Sequence, residues 1–272
     1  SDSDWVLYAP YTDKSLVRNA LAYSTWGNLG WPSLATRFVE VFLNDDGGAE
    51  FSYTDDYAGI YMLVEAITLE RLGLDGPQAG VNPEAITGGF VIETGPSDDQ
   101  EFATSASGRT TGHKHRDPGR DQLSTAQQTW IRGTYATFEQ ALYGPGFKHP
   151  VSGLPYAEYT DVASQVDYKI VREWSRNFDG GSTYSHVPRG GKLTMGPLWD
   201  YNWAFGNVNY AEGGDIPGYR TDGWNRSFTG LSPWAPWWLR FEQDPDWWQQ
   251  FIDRWSVLRD GVLADAAVEV EI

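Results

Sequence analysis

Between residues 16 and 29 the segment LVRNALAYSTWGNL sets Leu16, Ala20, Tyr23 and Gly27 along one face at helical spacing. That spacing predicts an amphipathic helix with Asp13 as its N-cap. Alternation then replaces the helical period. Residues 36–43 (TRFVEVFL) and 59–67 (GIYMLVEAI) alternate and are rich in β-branched and aromatic side chains, and an acidic, glycine-containing linker at 44–56 separates them. They predict an antiparallel strand pair, to which residues 88–93 (GGFVIE) add a third strand of the same small sheet. From 97 to 122 polar residues dominate and neither period is sustained, so a long surface loop is predicted. Helices are predicted over 124–142 and over 159–176, where Val162, Val166, Ile170 and Trp174 recur every fourth position. A Gly-rich turn (NFDGGS), a short strand (TYSHV), a tight turn at 188–191 and a second strand (KLTMGPLW) then lead to Asp200. Beyond Asn207 the chain is rich in Gly, Pro and Trp until Asp244, where DPDWWQQFIDRWSVLRDGVL predicts a closing helix.

Composition adds a core to this order of elements. With 272 residues, 40% of them hydrophobic, and 14 Trp, the chain has ample apolar surface for one core. The expected class is α+β in a single domain over 1–272: a sheet-containing first half (1–123) faces a mainly helical second half (124–272) across a cleft. A formal charge of −17 repels nucleic-acid phosphates and anionic membranes, which argues against a nucleic-acid partner. The same acidity suits cation binding or a merely solvated surface. Cysteine is absent, which excludes disulfides, thiolate metal sites and a cysteine nucleophile. No apolar run approaches the roughly 20 residues of a membrane span, and Ser1 opens a polar stretch without an initiator Met or signal segment, as in a processed or trimmed chain.

Candidate chemistry centres on two carboxylates. Asp179 follows a helix and Asp200 follows the second hairpin strand, 21 residues later, about what a β-hairpin consumes. Protein kinases place the catalytic-loop aspartate before such a hairpin and the metal-binding aspartate after it. In an acidic chain, caps and surface charges supply such pairs by chance as well. His113, His115 and Asp117 could hold a transition metal or belong to a solvated loop. Trp234, Trp237, Trp238, Trp247 and Trp248 suit a sugar-stacking platform, or core packing given their near-helical spacing. The chain has neither GxSxG nor GxxxxGK[ST], which removes serine-hydrolase and P-loop chemistry. Paired-carboxylate glycoside hydrolysis has no segment that nominates its acid and nucleophile.

The strings DSDWVLYAPYTDKSLVRNALAY, RFVEVFLN, YAGIYMLVEAI, GGFVIE and above all GGKLTMGPLWDYNWAFGN resemble the CotH (spore coat protein H) kinase family, as does the later PWWLRFEQDPDWWQQFIDRWSVLRDGVL. The resemblance implies an atypical protein-kinase-like two-lobed fold, a small antiparallel sheet plus a helical lobe. It also implies transfer of a phosphoryl group from ATP, with Mg²⁺, to Ser or Thr of a protein, by an extracellular or cell-surface protein found on the spore coat in some relatives. On it, Asp200 binds Mg²⁺ and Asp179 is the catalytic-loop aspartate. Asn177 or Asn202 supplies a neutral oxygen ligand or stabilises a turn, and Asn202 stands where many relatives carry a second acid. Trp199 stacks on adenine or packs in the core; Glu65 pairs with a phosphate-positioning lysine; Arg18 or Lys14 approaches phosphate, or both form surface ion pairs. The family's basic strand normally lies upstream and a further helix downstream, so both ends look cut, and poor ATP affinity is expected if that strand is truly absent. The rival expectation is a noncatalytic binding or adhesive surface module with carbohydrate association.

Overall fold

A computed structural model describes residues 4–45, 47–48, 50–95, 99–177, 183–207 and 236–271. The described residues form eight strands and seven α-helices in the α+β class. The first sheet is antiparallel, with β1 (Trp5–Tyr8) and β2 (Thr36–Phe42) flanking β3 (Tyr57–Glu65) in the order β1-β3-β2. Alternation along β3 buries Met62 and Val64, and β2 pairs with it as the sequence pattern requires. Between β1 and β2 runs α1 (Arg18–Asn28), which buries Leu21, Ala22, Tyr23 and Trp26. Asp13 lies five residues ahead of α1, yet its carboxylate accepts the Arg18 N–H at 2.9 Å and so serves the helix start.

The second sheet corrects two expectations. After the short α2 (Pro83–Ile86) come β4 (Phe90–Thr94), β5 (Phe102–Ala106), β6 (Arg109–Asp117), β7 (Thr183–Val187) and β8 (Thr194–Met195), paired antiparallel in the order β5-β6-β4-β7-β8. The GGFVIE strand therefore belongs to the middle of this sheet and not to the first one. The expected loop at 97–122 is largely the β5–β6 hairpin. Apart from Phe102 its inward positions are polar, among them Thr104, Thr111 and His113, so hydrophobic periodicity is missing even though they are buried. Hydroxyls satisfy the imidazole that is buried here: Thr94 Oγ1 lies 3.0 Å from His113 Nδ1, and Thr104 Oγ1 lies 2.9 Å from Nε2. Because β7 and β8 join strands from the first half, the sheet spans the expected boundary at 123.

Helices cover these sheets. A capping box of Ser124 and Gln127 opens α3 (Thr125–Tyr143), Asp161 caps α4 (Val162–Ser175) and Asp244 caps α6 (Pro245–Arg259). Between and beyond lie α5 (Pro236–Phe241) and α7 (Asp265–Glu271). One hydrophobic cluster runs from Ala22 to Leu263 and takes in Trp237, Trp238 and Trp247, each at most 4% exposed, with Trp248 packed against it. These rings are core, which overturns the sugar-platform expectation for them; Trp234 lies outside the described residues. No helix among the described residues is long and apolar enough to cross a membrane.

Of the expected strand KLTMGPLW only Thr194–Met195 pairs with β7, because Gly196 turns the chain with φ +93°. A Cβ at this position would stand 2.8 Å from Trp26 Nε1 in the core. Gly196→Ala combines a disfavoured backbone with a clash, so a loss of about 2–4 kcal/mol of stability is expected, read as a lower urea midpoint at unchanged slope.

Candidate functional site

The segment after Gly196 is pinned by two anchors. Leu198 and Tyr201 are each 1% exposed and draw the chain into the core, which leaves Asp200 half-buried between them. Asp200 adopts a left-handed backbone, φ 62°, a conformation that aspartate tolerates better than branched residues. Both neighbouring peptide N–H groups are held from α1: that of Asp200 donates to Tyr23 Oη at 3.2 Å, and that of Tyr201 donates to Asn19 Oδ1 at 2.6 Å.

Asn202 is buried beside them. With its amide nitrogen turned to Asp200 it donates to Oδ1, while its oxygen accepts from Trp203 Nε1 at 3.2 Å and Thr12 Oγ1 at 3.0 Å. Asn207 closes the turn by donating to the backbone oxygens of Asn202 at 2.7 Å and Thr12 at 3.0 Å. Trp199 is partly buried, near-parallel to Tyr23 at 6.4 Å and tilted against Tyr184 at 6.5 Å. Its ring is thus packed on two core tyrosines.

Charge at Asp200 is felt by the phenols around it. Tyr8 is pushed up to about 12, first by burial and then by the Asp200 carboxylate, against an opposing hydrogen bond from Asn19. Burial likewise raises Tyr23 and Tyr184; the Asp200 charge adds to both, but at Tyr23 the hydrogen bond from the Asp200 N–H outweighs it. All three remain protonated at neutral pH.

The end of α4 meets this segment. Arg176 terminates the helix with φ 50°, Asn177 beside it is 3% exposed, and the Phe205 N–H donates to Ser175 O at 2.6 Å. Asp179, two residues further along the chain, lies outside the described residues.

The basic and acidic candidates sit in their own networks. Glu65 pairs with Arg71 at 2.7 Å and accepts the Ala35 N–H at 2.9 Å, so its cationic partner is arginine where lysine was expected. Arg18 pairs with Asp13 and donates to Ser15 Oγ at 2.7 Å. Burial opposes ionisation of Asp13, but the Ser15 hydroxyl, the Arg18 N–H and the Arg18 guanidinium outweigh it and hold this carboxyl below the usual range. Lys14 donates to Tyr11 O at 2.7 Å and lies over that ring.

Residues that sequence reasoning passed over include Asn19 and Tyr23, one turn apart on α1, and a pair on the second sheet. Arg116 Nε donates to Glu93 Oε2 at 2.6 Å, with its guanidinium 5.9 Å from the centre of the Tyr184 ring. A polar residue inside the apolar face of a predicted helix was the available signal for Asn19.

No group of three or more His, Asp or Glu able to hold a metal occurs among the described residues. His113 and His115 lie in β6 and not in a loop, each engaged elsewhere than with Asp117: His113 is spanned by two threonines, His115 Nδ1 lies 2.7 Å from Glu101, and Asp117 accepts the Leu69 N–H at 2.6 Å. Residues 2–272 match the family model described as CotH kinase protein. No curated protein matches the chain.

Proposed function

This chain belongs to the CotH kinase family, and from that membership, together with the geometry around Asp200, we propose that it is an atypical kinase that transfers the γ-phosphoryl group of ATP to a Ser or Thr hydroxyl of a protein. The supporting observation is one half-buried carboxylate held in a left-handed turn by α1, in a segment that the Phe205 N–H ties to Ser175 O at the end of α4. Mg²⁺ commonly takes one or two carboxylates and completes its shell with phosphate oxygens and water, so Asp200 is a fitting donor. When bound, the ion would neutralise charge on the β- and γ-phosphates.

The protein groups then divide the work. Asp200 supplies the carboxylate, and the Asn202 amide fixes its rotamer. Asn202 has a neutral oxygen to offer as a ligand only by turning it away from Trp203 and Thr12. Asp179 orients the acceptor hydroxyl and takes its proton as the oxygen bonds to phosphorus and ADP leaves. Trp199 offers an aromatic edge for adenine. Arg18 contributes through the start of α1, and Glu65 through its tie to Arg71. The protein acts outside the cell or at its surface on protein substrates.

The direct test incubates the protein with Mg²⁺ and γ-labelled ATP plus a Ser/Thr-rich acceptor. Label transfer that chelation abolishes is expected. Absence of both transfer and calorimetric Mg²⁺·ATP binding would sink the reading.

A noncatalytic surface module is the second reading, and the amide at Asn202 favours it. Asn202→Asp separates the two. A second carboxylate against Asp200 is expected to lower stability by about 1–2 kcal/mol without Mg²⁺, through like-charge repulsion, and Mg²⁺ is expected to restore it. Thermal melts with and without Mg²⁺ read this, and a melt indifferent to Mg²⁺ favours the noncatalytic module.

A further inference from the structure

Asparagine is a poor helix former, yet Asn19 lies inside α1 at 3% exposure, on the face that carries Tyr23 one turn later. Its side-chain oxygen accepts the Tyr201 N–H at 2.6 Å, and its amide favours the ionised form of the Tyr8 phenol on β1. Tyr23 accepts the Asp200 N–H at 3.2 Å. Two side chains of one helix thus hold two successive peptide N–H groups, on either side of the one residue whose φ is 62°. Without these acceptors the two N–H groups would need water, and the left-handed turn would lose what over-determines it.

We infer that Asn19 and Tyr23 are positioning residues for Asp200: α1 clamps the turn that aims its carboxylate. The assignment rests on the kinase reading of the same site. Neither residue touches the reacting atoms. Both act by holding the backbone from which the carboxylate projects, so loss of either leaves the charge in place and blurs its direction.

Tyr23→Phe removes the acceptor and keeps the ring; Asn19→Ala removes the other. Each is expected to lower kcat about tenfold with KM for ATP within about twofold, and to raise the Mg²⁺ needed for half-maximal rate several-fold. Leu21→Ala, buried on the same helix but off the clamp, serves as the packing control. It is expected to lower stability and leave the Mg²⁺ requirement unchanged. Wild-type kcat and Mg²⁺ requirement in both clamp variants, or the same Mg²⁺ shift in Leu21→Ala, overturns the inference. Hydrogen exchange separates this test from the kinase reading. Should the wild-type protein transfer no phosphate, the kinase reading falls, yet protected Asp200 and Tyr201 amides that the two clamp variants unprotect still support the clamp. Amides that exchange equally fast in all three proteins overturn it.

Discussion

Asp200→Asn is expected to abolish Mg²⁺-dependent phosphoryl transfer, with a fall of at least about a hundredfold, while the protein stays folded. The size follows from removing the one charge proposed to face the cation, a loss comparable to deleting a group that stabilises the transition state. Asparagine is chosen because it also tolerates the left-handed backbone, so φ 62° adds little strain, whereas alanine would confound charge with conformation. An internal check needs no activity. The Asp200 charge is second only to burial in raising Tyr8 to about 12, so the variant should ionise Tyr8 at lower pH, visible in the ultraviolet titration of its phenol. Unchanged transfer alongside a shifted Tyr8 titration would take catalysis away from Asp200 while confirming the geometry.

How far the sequence announced this arrangement depends on the range of the interaction. Helices α3, α4 and α6 were legible because a cap residue and a helical period agree within a few positions, as in Ser124 with Gln127 and in Asp161 ahead of Val162. The β2–β3 pair was legible for the same local reason. The β5–β6 hairpin was not, because the buried His113 is satisfied by two threonine hydroxyls, a cross-strand fact that mimics a polar loop when read along the chain. Asp200 stood out through its resemblance-bearing string, but its supports did not: Tyr23 and Asn19 are separated from the amides they hold by 177 and 182 residues. The tryptophans of α5 and α6 carried the right period for a core, and only burial separated that role from a sugar platform.

Acid should unfold this protein through His113. Burial, with His115 beside it, pushes the imidazole down to about 3 from an ordinary 6.5, because the ring sits between Thr94 and Thr104 under Phe102 and Tyr135. The unfolded chain takes up a proton near pH 6.5 that the folded chain refuses. Stability is therefore fully present above about pH 6.5 and falls by about 1.4 kcal/mol per pH unit below it until the folded group itself titrates. By pH 4.5 this single side chain costs about 3 kcal/mol, a large part of a domain's typical 5–15 kcal/mol. His186, depressed by burial, acts in the same direction, whereas the raised Glu139 opposes both by taking its proton earlier in the folded state. His113→Gln keeps polar atoms within reach of both threonines and removes the titration. Urea unfolding at pH 7.5, 6 and 4.5 should then show the wild-type midpoint falling more steeply than that of the variant, by roughly one proton's worth of slope. Parallel slopes would mean that His113 accepts a proton within the fold, and the dry setting assigned to it would be wrong.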